Sequence, residues 1–147
     1  MKIIQGKFED RARIYELISA LAKEHVFQTF EQEGPKYFLS SLQANIDEIM
    51  INPEKMYLLL VNKELIGAAG FGLNGHINHF FIRTIDQRRG LGRLLFDAVK
   101  KNIKSKVIDV NSSLNAIGFY EKLGFNAFDS IKTVNGITFQ PMHFSAA

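Results

Sequence analysis

The sequence predicts one mixed α/β (α+β) domain with a central sheet of about seven strands flanked by about four helices. The chain has 147 residues, the size of one ordinary domain. Hydrophobic residues make up 46%, enough for a full core, and charged residues make up 22%, close to the globular average. Segments with strand and helix periodicity follow one another in the order βααβββαβαββ. Residues 1–147 are therefore expected to form a single domain.

One strand and two helices are predicted before residue 53. Residues 2–8 alternate like a strand, and Asp10 is placed to cap the next helix. Residues 24–36 are predicted to be irregular, with Gly34-Pro35 as a breaker, and Asn52-Pro53 ends the second helix. The two helices are indicated by apolar residues at helical spacing: Ile14, Leu17, Ile18, Leu21 and Ala22, and then Phe38, Leu42, Ile46 and Ile49.

The rest of the chain is predicted to be rich in strands. The apolar run 56–61 is typical of a strand buried on both faces. Asn74-Gly75 is a strong signal for a two-residue hairpin turn between the two strands that follow. The later predicted elements are a helix over 90–104, a strand over 106–110, a helix over 112–123 with Gly124 as its C-terminal cap, and strands over 125–131 and 136–144 about the turn KTVNG.

Composition and charge limit the class of function. The chain has no Cys, which excludes disulfides, thiolate catalysis and cysteine-ligated zinc. No signal-peptide pattern or bilayer-length apolar run is present, so a soluble cytoplasmic protein without a membrane partner is expected. The net charge of +3 is too small to indicate nucleic-acid binding by itself. Residues 83–106 nevertheless hold eight basic and two acidic side chains, which predicts an anionic ligand at one place.

Two glycine patterns compete as a nucleotide site. Gly70, Gly72 and Gly75 match G-x-G-x-x-G, but they lead through an Asn-Gly turn into another strand instead of into a helix. Glycines there are expected where a neighbour or a ligand lies close to the strand. The second pattern, QRRGLG at residues 87–92, follows a strand and precedes an amphipathic helix. Its context suits anion binding, and the context of the first does not.

The QRRGLG turn has the chemistry of a pyrophosphate site. The first N–H groups of a helix lack internal partners, and the helix dipole adds positive charge there. Gly90 and Gly92 would let the backbone approach a ligand, and three arginines surround them. A glycine-rich loop on a solvated basic helix face explains these six residues equally well. The arginines are Arg88, Arg89 and Arg93.

A second stretch, NAIGFYEKLGF at residues 115–125, follows about 25 residues downstream. Together the two stretches resemble the GNAT family of acetyl-CoA-dependent N-acetyltransferases. Gln87, Gly90 and Gly92 fill the family pattern Q/R-x-x-G-x-G/A. Ala116 and residues 119–125 fit its second pattern, A-x-x-(L/F)-Y-x-(K/R)-x-G-F. In motif order the resemblance covers about residues 56–144.

The resemblance implies a cofactor site. A strand ending near residue 82 would splay from the strand over 106–110 and open a slot for the pantetheine arm of CoA. Main-chain groups of residues 80–82 would pair with that arm, and the backbone of residues 88–93 would bind the pyrophosphate. The implied cofactor-binding residues are Phe80, Phe81, Ile82, Gln87, Arg88, Arg89, Gly90, Leu91, Gly92, Arg93 and Asn115. Many members carry an Asn where this chain has Ser113, so Asn111, Ser113 and Asn115 all remain candidates for contact with the arm.

Two side chains are candidates for catalysis. Tyr120 corresponds to the tyrosine that commonly protonates the leaving thiolate, and a phenol with a pKa near 10 arrives protonated. Its alternative role is packing on an amphipathic helix. Many members carry a Glu base where this chain has His79, which could deprotonate an amine directly or through a water. The alternative for His79 is a partly buried, hydrogen-bonded residue. Strict alternation would place His79 on one face with Ile77 and Phe81.

These residues predict an acyltransferase that moves acetyl from acetyl-CoA to a primary amine by direct attack, without a metal. A non-catalytic CoA-binding sensor is the alternative, and a nucleic-acid-binding domain is disfavoured. The acceptor, a small molecule or a peptide, is not named by the sequence, and a homodimer is possible. The resemblance implies that residues 23–38 form part of the acceptor site, where carboxylates and aromatics suit a cationic amine. The alternative is an ordinary surface loop whose aromatic side chains face the core. The side chains concerned are Glu24, Phe27, Phe30, Glu31, Glu33, Tyr37 and Phe38.

Overall fold

The computed structural model describes residues 1–51, 55–72 and 74–145, and within them it confirms the mixed α/β class. Eight strands and four α-helices are present in this part of the chain. The strands are β1 Lys2–Gln5, β2 Met56–Val61, β3 Glu64–Phe71, β4 His76–Ile82, β5 Val107–Ser112, β6 Asn126–Ala127, β7 Lys132–Val134 and β8 Ile137–Ser145. The helices are α1 Arg11–Leu21, α2 Gly34–Ile49, α3 Leu91–Lys100 and α4 Ile117–Leu123. The predicted order is confirmed with one addition, because β7 lies where the sequence indicated only a turn.

The sheet runs in the order β1-β2-β3-β4-β5-β8-β6, and β7 pairs with β8. Neighbouring strands are antiparallel except β4 and β5, which are parallel. Helices cover both faces. One apolar cluster packs α3 and α4 against the sheet, and a second packs α1 and α2 against the other face. No helix in the described ranges is long and apolar enough to cross a bilayer.

Strands β4 and β5 separate soon after they meet. Their register contains two pairs, His76 with Asp109 and Ile77 with Val110. Beyond Ile77, β4 pairs with β3 alone, while β5 continues along β8. The expected splay between these strands is therefore present, and it leaves an opening in the middle of the sheet.

A β-bulge in β4 changes which side chains share a face. Gly70 pairs with His79 and Phe71 pairs with Ile77, so Asn78 is one extra residue on β4. Ile77 consequently packs in the α3–α4 cluster, whereas Phe81 packs against the α1–α2 cluster. The prediction that His79, Ile77 and Phe81 share a face is wrong for Ile77, because strict alternation assumes an unbroken ladder.

The segment around residues 22–36 is more regular than predicted. Helix α1 continues into a π-helical turn over Ala22–Val26 and a 3₁₀ turn over Phe27–Thr29. Gly34-Pro35 begins α2 instead of breaking the chain, which suits a proline because the first helical N–H needs no partner. The Asp10 carboxylate accepts the Lys7 N–H at 2.7 Å, so it closes the preceding 3₁₀ turn instead of capping α1.

Several predicted boundaries shift. The hairpin between β3 and β4 is confirmed, but four residues join the strands, and the Gly72 N–H donates to His76 O at 2.8 Å. Gly124 ends α4 with a φ of 107°, as a C-terminal cap requires. Helix α3 ends at Lys100, and β6 covers two residues of the predicted strand. The predicted stop at Asn52-Pro53 lies outside the described residues.

Candidate active site

The opening between β4 and β5 is part of a cleft of about 1050 Å³ that passes through the sheet. One end lies at the turn before α3, and the other lies under α1, α2 and the β7–β8 hairpin. The walls bring together most of the predicted site residues. Those that line the cleft are His79, Phe80, Phe81, Ile82, Gln87, Arg88, Gly90, Gly92, Arg93, Asn115 and Tyr120. Arg89 and Leu91 do not line it.

Residues 87–93, called the cradle here, form a tight turn into α3. Arg88 and Gly90 both adopt left-handed backbone conformations, with φ values of 62° and 77°. The Gln87 side-chain amide donates to Ile82 O at 2.9 Å, which ties the cradle to the end of β4. Gly90 is the N-cap of α3, so the unpaired N–H groups of the first helical turn begin here. The local geometry is suited to binding an anion.

The two glycines of the cradle have different roles. A Cβ on Gly90 would meet no atom within 4 Å, so this position is open, and its φ favours glycine. A Cβ on Gly92 would lie 2.6 Å from Cε1 of Phe119. Gly92 therefore makes room for the Phe119 ring. Both glycines line the cleft, and the expectation that they free the approach to a ligand stays a prediction.

The three arginines around the glycines also differ. Arg89 binds Asp86 at 3.4 Å, and this buried carboxylate also binds Arg83 at 2.7 Å. Arg93 donates to Lys122 O at 2.7 Å, at the C-terminal end of α4. Arg88 lines the cleft and has no hydrogen bond or ion pair in the described part of the chain. Arg88 is therefore the cradle arginine whose guanidinium is available to an anion.

The edge of β4 that faces the opening carries free main-chain groups. The Arg83 N–H donates to Ile66 O at 2.7 Å, so the Arg83 peptide faces β3. Peptide groups alternate in direction along a strand. The main-chain N–H and C=O of Phe80 and Ile82 therefore point toward the opening, and those of Phe81 point toward β3. Ile82 O already accepts from Gln87, which leaves its N–H and the groups of Phe80 facing the cleft.

Tyr120 stands in the wall of the cleft on α4. It is 5% exposed, and its ring packs against Phe80, Phe119 and Phe125 with centroid separations of 6.4, 5.2 and 5.3 Å. Burial raises the pKa of the Tyr120 hydroxyl above its ordinary value. The phenol is consequently protonated throughout the neutral range. The two roles predicted from the sequence, packing and proton donation, are compatible in this geometry.

His79 lies between the cleft and a second cavity of about 630 Å³ next to α2. The residue is 7% exposed, and its Nε2 has no hydrogen-bond partner in the described ranges. Burial, and secondarily the charge of His76, lowers the pKa of His79 to about 4. His76 itself is paired with Asp109. At neutral pH His79 is therefore a neutral imidazole of low basicity, and its role as a general base stays a prediction.

The candidates for the cofactor arm on the β5 side lie together. Asn111, Ser113 and Asn115 all line the cleft. The Ser112 hydroxyl donates to the main-chain O of Ser113 at 2.8 Å, and the side chains of the three candidates make no hydrogen bond within the described residues. Each of the three candidates therefore remains available for contact with an extended ligand.

The predicted acceptor region is only partly at the cleft. Phe30 and Phe38 line it, and Phe27 supports them at centroid distances of 5.8 and 5.7 Å. Tyr37 and the three glutamates do not line the cleft, and Glu24 accepts from Thr84 Oγ1 at 3.2 Å. His25 and Val26, which also line the cleft, lie in the predicted segment but were not singled out. Sequence reasoning missed five further lining residues: Leu21 and Thr84 near the helices, and Ile137, Thr138 and Phe139 from the hairpin.

Comparison with known proteins shows the family to which the chain belongs. The family model described as Acetyltransferase (GNAT) domain matches residues 26–146, and the chain belongs to this family of acyltransferases. A search of curated proteins finds no match.

Solved structures share the fold at low sequence identity. A GCN5-related N-acetyltransferase from Rhodopseudomonas palustris has a TM-score of 0.79 and 19% identity, with 98% of this chain and 94% of that chain covered. The PaiA N-acetyltransferase of Thermoplasma acidophilum, in complex with coenzyme A, has a TM-score of 0.72 and 16% identity, with 98% of each chain covered. An aminoglycoside 6'-N-acetyltransferase complexed with coenzyme A has a TM-score of 0.72 and 15% identity, with 100% and 98% covered.

Proposed function

We propose that the protein transfers an acetyl group from acetyl-CoA to a primary amine by direct attack on the thioester. The observation that carries the proposal is the splay of β4 from β5, which joins the cradle, the free edge of β4 and Tyr120 in one cleft. Two structural neighbours were solved with coenzyme A, and their fold covers nearly all of this chain. The position of the donor in this cleft is part of the proposal.

The residues present fit CoA in both charge and shape. The pyrophosphate would lie against the backbone of the cradle, where Gly90 leaves open space and Arg88 supplies a free guanidinium. The pantetheine arm would pair with the cleft-facing main-chain groups of Phe80 and Ile82, as an added strand pairs with an exposed sheet edge. The thioester would then lie within the opening, close to Tyr120.

The reaction requires one new bond, one broken bond and one proton transfer. The nitrogen lone pair of the neutral amine attacks the carbonyl carbon, and the tetrahedral intermediate collapses with loss of the C–S bond. The Tyr120 hydroxyl donates its proton to the leaving sulfur, and the proton released by the attacking nitrogen restores the phenol. The products are an N-substituted acetamide and the free thiol of CoA. A main-chain N–H of the opened β4 edge would polarise the thioester carbonyl during attack.

The tyrosine assignment can be tested with a matched pair of variants. Tyr120→Phe removes the hydroxyl and leaves the ring that packs against Phe80 and Phe125. We expect kcat for thiol release to fall about a hundredfold or more, the usual contribution of a general acid. Tyr15→Phe, which removes a hydroxyl on α1 outside both cavities, should leave kcat unchanged. An unchanged kcat in Tyr120→Phe with a competent amine would refute the general-acid assignment.

The transfer itself is tested by a screen of amines with acetyl-CoA, in which thiol release is measured. Turnover of at least one primary amine, with the acetamide identified by mass spectrometry, supports the proposal. Binding of CoA without turnover of any amine would instead favour a non-catalytic CoA-binding module.

A further inference from the structure

The end of the cleft opposite the cradle, called the apolar end here, has walls made mostly of hydrocarbon. Its polar side chains are His25, Thr84 and Thr138, and His25 Nε2 lies 2.7 Å from Thr84 Oγ1, so two of the three satisfy each other. The apolar side chains that line this end are Leu21, Val26, Phe30, Phe38, Ile137 and Phe139.

This end is held in shape by contacts between segments far apart in the sequence. The rings of Phe27, Phe30 and Phe38 form a cluster with centroid distances between 5.7 and 6.1 Å. The Glu31 N–H donates to Gly136 O at 2.9 Å, which fixes the β7–β8 hairpin against the start of α2. The aromatic wall and the hairpin wall are therefore both present before any ligand binds.

Negative charge is missing from the walls. None of the residues that line the cleft in the described part of the chain is an Asp or a Glu. Glu24, which precedes the lining residue His25 in the sequence, lies outside the lining. Its carboxylate accepts from Thr84 Oγ1 at 3.2 Å and lies 3.4 Å from His25 Nε2. A ligand with several ammonium groups would bury them without a counter-charge, which is costly. Because no carboxylate lines it, this end of the cleft favours an acceptor with a single amine over polyamines and aminoglycosides.

An amine on an apolar body would fit the same walls. Its ring or branched chain would bury against Phe30, Phe38 and Phe139. Desolvation there lowers the pKa of an ammonium and favours the neutral amine, the form that attacks a thioester. A strong protein base is then unnecessary, in agreement with the low basicity of His79.

We infer that the acceptor is a primary amine carried on an aromatic or branched aliphatic body, with its apolar part in the apolar end of the cleft. The inference rests on the proposed acetyl transfer and names the substrate class for the same site.

The test measures acceptor binding separately from turnover. Protein saturated with CoA is titrated calorimetrically with 2-phenylethylamine and, in parallel, with butane-1,4-diamine. We expect 2-phenylethylamine to bind at least about tenfold more tightly, since burial of a phenyl ring supplies that much affinity. The same preference should hold in kcat/KM for thiol release from acetyl-CoA.

Two variants of one residue sharpen the test. Phe30→Glu places a carboxylate in the apolar end, and we expect it to reduce or reverse the preference. Phe30→Leu keeps the wall apolar and should preserve the preference, which separates charge from general disruption. Ile131→Glu, an exposed position outside both cavities, should behave like wild type.

The outcomes distinguish the two proposals. Tighter binding of 2-phenylethylamine supports the acceptor class even if no acetamide forms. In that case only the proposal of acetyl transfer is refuted. Turnover or binding that favours butane-1,4-diamine, or a preference unchanged in a folded Phe30→Glu variant, overturns the acceptor class and leaves acetyl transfer standing. Failure of both amines to bind the CoA-saturated protein also overturns the acceptor class.

Discussion

The two ends of the cleft are built in different ways. The cradle consists of seven consecutive residues, 87–93, and two hydrogen bonds hold it: Gln87 to Ile82 O at the end of β4, and Arg93 to Lys122 O at the end of α4. The apolar end is assembled from the segment that includes α1 and α2, near the start of the chain, and from the β7–β8 hairpin, which follows much later in the sequence. The cradle uses main-chain groups and one free guanidinium, whereas the apolar end uses hydrocarbon surface.

With the donor and the acceptor placed at these two ends as proposed, recognition of the one is separable from recognition of the other. A phosphate site made of backbone depends on φ values and missing side chains, so few sequences can form it. A hydrocarbon wall accepts many side chains of similar volume, so it can change without changing the fold. Variants of the cradle should therefore alter CoA affinity, and variants of the apolar end should alter the choice of amine.

The largest predicted effect on stability concerns His79, which lies between the cleft and the second cavity. Its pKa is about 4 in the folded protein and near 6.5 when unfolded, so between these values only the unfolded chain takes up the proton. Stability should therefore fall as the pH drops, by about 2 kcal/mol between pH 7 and pH 5. Urea denaturation at pH 7 and at pH 5 measures this difference in the free energy of unfolding.

Two histidine variants provide the control. His79→Gln should lose most of this pH dependence, whereas His143→Gln, at an exposed site, should retain it. Equal pH dependence in wild type and His79→Gln would show that His79 is not the residue buried in its neutral form.

The next effect separates two neighbouring arginines of the cradle. Arg88→Gln should weaken CoA binding about tenfold, because a charge-assisted bond to phosphate is lost. Arg89→Gln should have a smaller effect on CoA, because its guanidinium is already bound to Asp86. Calorimetric titration of CoA into both variants measures the difference, and equal losses would argue against a specific phosphate contact at Arg88.

The smallest effect compares two glycines near helix starts. Gly92→Ala should destabilise the fold by about 1 kcal/mol, because its Cβ would overlap the Phe119 ring. Gly118→Ala, where a Cβ meets nothing within 4 Å, should be neutral or slightly stabilising. Thermal denaturation of the pair is the measurement. A Gly92→Ala variant as stable as Gly118→Ala would mean that Phe119 is free to move aside.

Local features of the sequence predicted most of the fold and the position of the cradle. Periodicity located β2 with its observed bounds, and the QRRGLG turn marked the start of α3 within one residue. The bulge at Asn78 was not predicted, because it depends on pairing between β3 and β4 and leaves the residue pattern unchanged. Gly34-Pro35 was interpreted as a breaker because the same dipeptide suits a loop or the first turn of a helix.

The residues of the apolar end were predicted less well for a related physical reason. Aromatic residues in the segment 27–38 were recognised as candidates, yet which of them face the cleft depends on the π-helical turn over Ala22–Val26. The hairpin residues Ile137–Phe139 carried a turn signal in KTVNG, but no local pattern shows where a hairpin docks. Contact between Gly136 and the 31–34 turn is a tertiary feature.

The central claim is that the donor's phosphates lie against the backbone of the cradle. Calorimetric titration of CoA into Gly90→Val tests it most directly, since valine fills the open position and opposes a φ of 77°. Lys63→Val is the matched control, because Lys63 has a φ of 66° in a turn outside the cleft. We expect at least a tenfold loss of CoA affinity in Gly90→Val and none in Lys63→Val. Wild-type affinity in a folded Gly90→Val variant would contradict it.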